Sequence, residues 1–255
     1  MSFFRSVAVV WLRSFAVFKK NIAYAIVTTF VEPFLYLASF GFGLGPVIGK
    51  IQYDGQSVDY RAFVLSGIAG QTILFIAFFD SAYGGFIRMY YQKIYHAIAV
   101  TQVTLSELLW GELLWCSSRA LLSTSIVLLI GSVIGDFDPL GSLVILPVAF
   151  LAALLFSALG MLVAAMSKTI ESLSYPQYLL IFPMFLFCGV YFPLGNLPEI
   201  ARYGAELLPL SSILAIARGA LLGFNVPWWS YLVLGVWLAV LVPWARHAMR
   251  KRLLA

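Results

Sequence analysis

Four ionisable side chains lie inside long apolar stretches of the chain: Glu32, Asp80, Glu112 and Arg119. A charged group is costly in a bilayer, so each is a candidate for transport chemistry or for an internal ion pair. Glu112 and Arg119 are seven residues apart, which places them two turns apart on one helical face. The simplest prediction is a structural ion pair between them, and the alternative is a shared partner on a neighbouring helix.

Glu32 and Asp80 differ in their surroundings. Pro33 follows Glu32, and a proline removes a backbone donor and kinks a helix. The Glu32 carboxyl can therefore contact a transported molecule or, when protonated, bond a backbone group that the kink has freed. Asp80 lies near the predicted cytoplasmic end of its helix, where its carboxylate can simply reach the membrane interface.

No catalytic or metal-binding set accompanies these charges. The two histidines, His96 and His247, are far apart, so the sequence indicates neither a zinc motif nor a serine–histidine–aspartate set. The run 43–50 has a faint likeness to a phosphate-binding loop, but Leu44 replaces the first required glycine and Ile51 follows the lysine. We therefore predict a non-enzymatic chain without its own ATP site, metal or cofactor.

The composition indicates the class of protein that carries these residues. The 255 residues are 62% hydrophobic and 11% charged, with a mean hydropathy of +0.95, whereas soluble domains carry about 25% charged residues. The chain is therefore predicted to be a membrane protein. Its net charge of +5 is spread beside apolar segments, which favours contact with the lipid bilayer over nucleic acid. Cys116 and Cys188 lie in apolar runs and indicate no disulfide.

A membrane-spanning helix needs about 20 mostly apolar residues. Six stretches fit this description: 22–44, 62–84, 107–135, 143–166, 175–192 and 228–245. We predict an all-α integral membrane protein with one domain, residues 1–255, and six transmembrane helices. An even number of spans places both termini on the same side of the membrane.

The Lys and Arg residues indicate which side that is. Four lie in segments on the side opposite the termini: Lys50, Arg61, Arg202 and Arg218. Eleven lie on the same side as the termini: Arg5, Arg13, Lys19, Lys20, Arg88, Lys93, Lys168, Arg246, Arg250, Lys251 and Arg252. Because cytoplasmic segments are enriched in Lys and Arg, both termini are predicted to be cytoplasmic.

The first 20 residues predict an amphipathic helix that lies in the membrane interface. Its apolar side carries Phe3, Phe4, Val7, Val10, Trp11, Phe15 and Phe18. Its polar side carries Arg5, Ser6, Arg13 and Lys20, which we expect to face lipid headgroups. The helix is either a simple anchor or the frame of an entrance for a substrate taken from the cytoplasmic leaflet.

The cytoplasmic segment 85–106 is longer than a simple connection requires. It contains a stretch predicted to form a short amphipathic helix, made of Arg88, Met89, Tyr90, Tyr91, Gln92, Lys93, Ile94, Tyr95 and His96. Aromatic and Arg side chains dominate binding energy at protein interfaces, so this stretch is predicted to dock a partner protein. The alternative is an aromatic belt at the level of the headgroups.

The external segment 193–227 is apolar but interrupted by prolines. Two helix-like pieces, 199–208 and 210–223, flank Pro209, and the longer one reaches only about 21 Å, which is short of the hydrocarbon core. We predict two re-entrant half-helices before the last span, packed in protein or beside a wet cavity. An ordinary external loop is the alternative. The residues expected to form this external gate are Phe192, Pro193, Pro198, Leu207, Pro209, Leu210 and Leu214.

Several sequence stretches, together with this arrangement of spans, carry a resemblance to a known family. They are residues 32–36, 83–89, 97–101, 108–112, 189–194, Leu197 with Pro198, 208–211, and Arg218 with Gly219. Over essentially its whole length, the chain resembles the permease subunit of ABC-2 type exporters. Within that family it is most similar to the nodulation protein J group of lipo-oligosaccharide export permeases.

The resemblance implies a homodimer in a bacterial inner membrane, bound on its cytoplasmic face by two copies of a separate ABC ATPase. That partner would hold the ATP and Mg²⁺. Closure of the ATPase would push on the 88–96 segment and the N-terminal helix, and it would open a path between the two copies. The half-helices around Pro209 would then act as the outer gate.

The chain departs from its relatives at two places. Gln102 stands where a proline is usual, and Ser211 with Ser212 replaces Thr-His. The expected substrate is an amphipathic lipo-oligosaccharide or glycolipid, with a hydrophobic drug or a lipid-linked polysaccharide as the alternative. A proton-coupled secondary transporter that uses Glu32, Asp80 and Glu112 as a relay is a hypothesis of another class, and a membrane enzyme is disfavoured by the missing catalytic set.

Overall fold

The structure, a computed structural model, describes residues 3–254 and is predominantly helical, which confirms the predicted all-α membrane fold. The helices are α1 (Phe3–Lys20), α2 (Ile22–Tyr36), α3 (Gly45–Ile48), α4 (Tyr60–Phe79), α5 (Ile94–Ala99), α6 (Leu105–Ile134), α7 (Pro139–Val144), α8 (Leu146–Met166), α9 (Ser174–Pro176), α10 (Phe182–Phe187), α11 (Glu199–Glu206), α12 (Pro209–Leu222) and α13 (Trp228–Leu254). Wider π-helical turns occupy Leu37–Leu44, Asp80–Gly84, Ile87–Tyr91 and Gln177–Ile181, and 3₁₀ turns occupy Glu171–Leu173 and Leu194–Asn196.

Among the described residues, five continuous helices are long and apolar enough to cross a membrane. They are Val31–Ile48, Tyr60–Tyr91, Leu105–Ile134, Pro139–Met166 and Trp228–Leu253. These helices overlap five of the six predicted spans. The second is longer than predicted, because its π-helical turns carry it through Tyr91 instead of ending at residue 84.

The predicted span 175–192 does not form one continuous helix. Between Glu171 and Phe187 the chain forms four short helical segments in succession, with Pro176 and Pro183 among them. Each proline lacks a backbone donor, so a uniform helix is not expected there. The chain turns at Gly189, whose φ of +87° is accessible to glycine at little cost.

The core is built around α4, which packs against α6, α8 and α12. Nearly all of its side chains are buried, including large ones such as Phe63 and Phe78. α8 packs against α6 and α13 on its other sides, and α1 lies along α6. By contrast, α2 lies at the edge of the molecule and leaves Val31, Phe34 and Leu35 exposed.

A small antiparallel hairpin that was not predicted from the sequence precedes α4. β1 (Lys50–Tyr53) pairs with β2 (Gln56–Asp59), and Asp54 and Gly55 form the turn with positive φ at both positions, as in a type I′ turn. Immediately after the hairpin, Arg61 donates two hydrogen bonds of 2.8 Å to the carboxylate of Asp136. This bidentate pair joins the outer ends of α4 and α6.

The external segment contains the two predicted half-helices. α11 and α12 are separated by two residues and meet at an angle of 81°. Pro209 is the first residue of α12, where a missing N–H costs nothing. The break therefore occurs where the sequence predicted it.

Gly160 allows α8 to lie directly against the second span. A Cβ atom at this position would lie 2.1 Å from Ser81 Oγ and 2.5 Å from the carbonyl oxygen of Phe78. Separations this short force the backbone or the side chain to move. The contact therefore requires glycine.

We expect Gly160→Ala to destabilise the protein by about 1–3 kcal/mol, because the added methyl group overpacks this contact. Gly235→Ala is the matched control, since Gly235 is also helical and a Cβ there would meet nothing within 4 Å. Thermal unfolding of the purified variants in detergent measures both effects. Equal melting temperatures for the two variants would contradict the close packing.

Candidate functional site

Charged side chains meet where α1, α6 and the inner end of the second span come together. The Glu112 side chain, on α6, is 0% exposed. Arg13 Nη2 donates a hydrogen bond of 2.7 Å to Glu112 Oε1. Arg88 Nη2 lies 3.0 Å from Glu112 Oε2, a charge contact without hydrogen-bond alignment. Two cations from other parts of the chain therefore hold one buried carboxylate.

A second carboxylate extends this group. Asp80 Oδ1 lies 3.1 Å from Arg119 Nη1 and 4.0 Å from Arg88 Nη1, so Arg88 contacts both carboxylates. We call Arg13, Asp80, Arg88, Glu112 and Arg119 the ionic cluster. Its three guanidinium groups and two carboxylates carry a formal net charge of +1.

Local structure explains how the second span and α6 present these groups. α6 begins with a capping box in which Thr104 and Glu107 exchange side-chain and backbone hydrogen bonds, and this fixes the start of the helix. The second span contains π-helical turns at Asp80–Gly84 and Ile87–Tyr91. Such turns change the rotation of a helix, and functional residues often lie at them. Here Asp80 and Arg88 both face α6.

The contact between α1 and α6 corrects the predicted orientation of α1. Val7 and Val10 are buried, whereas Phe4 is 83% exposed. A Cβ atom at Gly111 would lie 2.5 Å from Val10 Cβ, so α1 lies very close to α6. This packing turns Arg13 toward Glu112, and the prediction that Arg13 faces lipid headgroups was wrong.

The ion pairs also correct the expected direct bridge between Glu112 and Arg119. Glu112 is paired with Arg13 and Arg88, while Arg119 is paired with Asp80. The two residues are linked through Asp80 and Arg88, which is closer to the alternative of a shared partner on a neighbouring span. The Asp80 side chain is only 11% exposed, so its carboxylate belongs to the cluster and not to the membrane interface.

The predicted docking stretch 88–96 separates into inward-facing and outward-facing residues. Tyr95 and Met89 are 0% and 2% exposed, and Arg88 belongs to the ionic cluster. Burial raises the pKa of the Tyr95 hydroxyl, which therefore stays protonated. Tyr90 and Tyr91 are 50% and 61% exposed. Other accessible residues of the stretch are Gln92, Lys93, Ile94 (partly) and His96.

Only two of the three tyrosines are therefore available as anchors for a partner. The helix ends at Tyr91, and Lys93 adopts a left-handed conformation with φ of +52° before α5 begins. This sharp turn directs the chain back, so that Tyr95 packs into the core. The prediction of one amphipathic helix over 88–96 missed this turn.

The residues of the predicted external gate differ in burial. Leu210 and Leu214 are 0% and 1% exposed, and Pro209 is buried as well. Leu207 is 70% exposed, and Pro198 is also exposed. The remaining two, Phe192 and Pro193, are partly buried. The start of α12 thus packs into the protein while the end of α11 lies at the surface.

Arg218 on α12 is a site residue that the sequence analysis assigned only to the external positive charges. It is 2% exposed, and its Nη2 donates a hydrogen bond of 2.6 Å to the carbonyl oxygen of Gly189. Its Nε donates to Ser66 Oγ at 3.2 Å, and its Cζ lies 3.7 Å from the centroid of the Phe63 ring. In the sequence, the feature that indicates a buried arginine here is that Arg218 is flanked by apolar residues on both sides.

Glu32 lies away from the ionic cluster, on the exposed side of α2. It lines a cavity of about 550 Å³ together with Val31, Leu35, Tyr36 and Phe40, among other residues. The cavity is predominantly apolar, and it lies on a helix that is largely uncovered by the rest of the chain. Among the described residues, Glu32 is therefore the one ionisable acidic residue of a predominantly apolar lining that also includes Ser39 and Tyr36.

Comparison with known proteins identifies the family. A profile of the ABC-2 type transporter family matches residues 5–222. The chain belongs to this family. It is 32% identical to nodulation protein J of Rhizobium meliloti (strain 1021) over 214 residues, which cover 84% of this chain and 80% of that protein.

Two further relatives have the same description. Nodulation protein J of Rhizobium leguminosarum bv. trifolii is 31% identical, with 85% of this chain and 81% of that protein covered. Nodulation protein J of Sinorhizobium fredii (strain NBRC 101917 / NGR234) is 32% identical, and the matched residues cover 84% of this chain and 80% of that protein. The ABC-2 chain is thus a membrane-embedded, non-catalytic subunit of an ABC exporter, a class that works with an ABC ATPase.

The ionic cluster of this ABC-2 subunit predicts the effect of removing its buried charge. Glu112→Gln should destabilise the protein by roughly 3–5 kcal/mol, because it removes the buried carboxylate that pairs with Arg13 and leaves Arg88 with only the 4.0 Å contact to Asp80. Glu206→Gln is the matched control, since Glu206 pairs with Arg202 at an exposed site where a salt bridge contributes about 0–1 kcal/mol. Thermal unfolding in detergent measures the difference, and similar losses in both variants would argue against a structural ionic cluster.

Proposed function

We propose that this chain is the permease subunit of an exporter that moves an amphipathic lipo-oligosaccharide or glycolipid outward from the cytoplasmic side. Two copies of the chain form the path, and two copies of a separate ABC ATPase, which hold ATP and Mg²⁺, drive it. The complex lies in a bacterial inner membrane with both termini of the chain in the cytoplasm. The family membership and the similarity to nodulation protein J support this proposal.

The observation that carries the proposal is the continuous helix Tyr60–Tyr91. Its 32 residues extend over about 48 Å, which exceeds the thickness of a hydrocarbon core. Its inner end presents the exposed Tyr90 and Tyr91, and its outer half packs against α12. One rigid element thus connects a surface suited to an ATPase with the external half-helix.

Contacts along this helix allow it to transmit a displacement. Arg88, one turn from its inner end, contacts Glu112 on α6. At the outer half, Leu214 on α12 fits against Gly70, where a Cβ atom would lie 2.5 Å from Leu214 Cδ2. A push on Tyr90 and Tyr91 would therefore move α6 and α12 together with the second span.

The uncovered side of α2 supports the homodimer. A charged carboxylate that faces lipid within a membrane-spanning helix is unfavourable. Glu32 is exposed on such a helix and lines the 550 Å³ cavity. A second copy that covers this surface, with a water-accessible path between the copies, removes the cost and provides the amphipathic substrate with a route.

The ion pairs disfavour a proton-coupled mechanism. A relay requires carboxylates that gain and lose protons during the cycle. Asp80 and Glu112 are each paired with arginines on other elements, so both carboxylates already serve as structural links between helices. Glu32 would be left without the other two members of the relay, so an ATP-driven mechanism fits the geometry better.

A transport assay tests the proposed function. The permease and its ATPase are reconstituted into proteoliposomes with a fluorescent lipo-oligosaccharide, and ATP is added to the side on which the ATPase lies. We expect the substrate to move to the opposite side only with ATP, and not with a proton gradient alone. Movement driven by the gradient would overturn the proposal, and equal transport of a hydrophobic dye would favour drug export.

In the same assay, Tyr90→Ala combined with Tyr91→Ala should reduce ATP-dependent transport roughly tenfold or more, because each lost interface anchor costs more than about 1 kcal/mol. Tyr231→Ala is the matched control, since Tyr231 is 52% exposed and lies near the outer end of α13. Copurification with the ATPase gives a second measurement. Normal copurification and transport in the double variant would show that these tyrosines are not the docking site.

Cysteine labelling tests the external gate. Leu214→Cys, in a protein with Cys116 and Cys188 replaced, should react poorly with a membrane-impermeant thiol reagent at rest, because position 214 is 1% exposed. Leu207→Cys, at a position 70% exposed, is the matched control that should react at once. When the ATPase is trapped with ATP, position 214 should become reactive, since opening must admit water. Unchanged protection of position 214 in the trapped complex would remove α12 from the gate.

A further inference from the structure

The ionic cluster forms one wall of a cavity of about 330 Å³ between α1, α6 and the inner end of the second span. Three cluster arginines line this cavity: Arg13, Arg88 and Arg119. Asp80 is the one carboxylate in its lining, because Glu112 lies behind the wall and is 0% exposed. The charges that line the cavity sum to +2, and Glu112, which pairs with Arg13 and Arg88 from behind, lowers the formal charge of the whole cluster to +1.

Two donors at this wall lack acceptors within the described part of the chain. Arg13 Nη1 and Arg88 Nε are buried, and neither has a hydrogen-bond partner. A buried donor without an acceptor is unfavourable, and anionic oxygens are the strongest acceptors for a guanidinium group. The wall is thus suited to a phosphate group.

Asp80 places a second requirement on the ligand. Its Oδ1 is paired with Arg119, but its buried Oδ2 has no hydrogen-bond partner among the described residues. An ionised carboxylate oxygen can only accept, so it needs a donor such as a hydroxyl or an ammonium group. A headgroup with a phosphate and a neighbouring hydroxyl satisfies both the arginines and this oxygen.

The remaining lining of the cavity combines polar residues, Ser14, Asn21 and Gln92, with apolar ones. Phe18 and Trp115 line it with their rings in an edge-to-face contact of 5.6 Å, and Val17, Ile87 and Ile94 add aliphatic surface. Free phosphate gains nothing from contact with an apolar surface, whereas the glycerol and first methylene groups of a lipid can pack against it. α1 ends at Lys19 and Lys20, which suit the level of the headgroups.

We propose that this cavity binds the headgroup of an anionic amphipathic lipid, with its phosphate on Arg13, Arg88 and Arg119 and its headgroup hydroxyl on Asp80. Phosphatidylglycerol has this chemistry. This lipid binding goes beyond the export function. It applies whether the bound lipid is the transported molecule or a resident component of the membrane.

Short-chain lipids test the proposal with the purified permease in detergent. Dihexanoyl phosphatidylglycerol, dihexanoyl phosphatidylcholine and inorganic phosphate are titrated separately, and the thermal midpoint reports binding. We expect phosphatidylglycerol to raise the midpoint in a saturable manner, with phosphatidylcholine at least tenfold weaker. Equal binding of the two lipids would overturn the proposal, and phosphate binding as tightly as phosphatidylglycerol would show an anion site without lipid selectivity and overturn it too.

Charge variants locate the site. Arg13→Gln and Arg119→Gln should each weaken phosphatidylglycerol binding roughly tenfold or more, since each removes a charge-assisted contact. Arg202→Gln makes the same change at an exposed external arginine and should bind like the unmodified protein. If the cluster variants do not fold, Val17→Trp fills the cavity and keeps every charge, and it should abolish binding. Undiminished binding in the folded variants would overturn the assignment.

Discussion

The burial of the Glu112 carboxylate is the constraint on which the inner half of this permease depends. A carboxylate with no exposed side-chain surface must remain paired, and its partners come from α1 and from the second span. Arg13 therefore requires α1 to lie along α6, and Arg88 requires the second span to approach the same place. Removing either contact leaves the buried Glu112 carboxylate with a single cationic partner. The three elements are thus expected to move as one unit.

The outer half is held by a different kind of interaction. The buried Arg218 is held by the carbonyl oxygen of Gly189, the hydroxyl of Ser66 and the ring of Phe63. Neutral acceptors bind a guanidinium group less strongly than carboxylates do, and water can replace them at a smaller cost. Breaking the hydrogen bonds of Arg218 therefore costs less than breaking the ion pairs of Glu112.

Several features of the fold could be predicted from the sequence because they depend on local chemistry. Length and apolarity indicated the spans, and Pro209 indicated the break between α11 and α12. The partner of Glu112 could not be predicted, since helical spacing describes only neighbours on the same helix, whereas Arg13 is brought in by tertiary packing at Gly111. The burial of Tyr95 was missed for a similar reason, because a left-handed residue at Lys93 reverses the chain and no local pattern predicts it.

The continuity of the second span restricts how the exporter can work. If the proposed docking residues lay on a separate helix with a flexible connection, a displacement of that helix would leave the membrane region undisturbed. Instead, Tyr90 and Tyr91 end the same helix that carries Asp80 and Arg88, so a displacement of the tip also displaces the cluster. The anionic lipid site proposed beside the cluster lies in contact with this moving element. A lipid phosphate bound to Arg13, Arg88 and Arg119 would bridge α1, the second span and α6, and its arrival or departure would therefore alter how tightly the three elements are coupled.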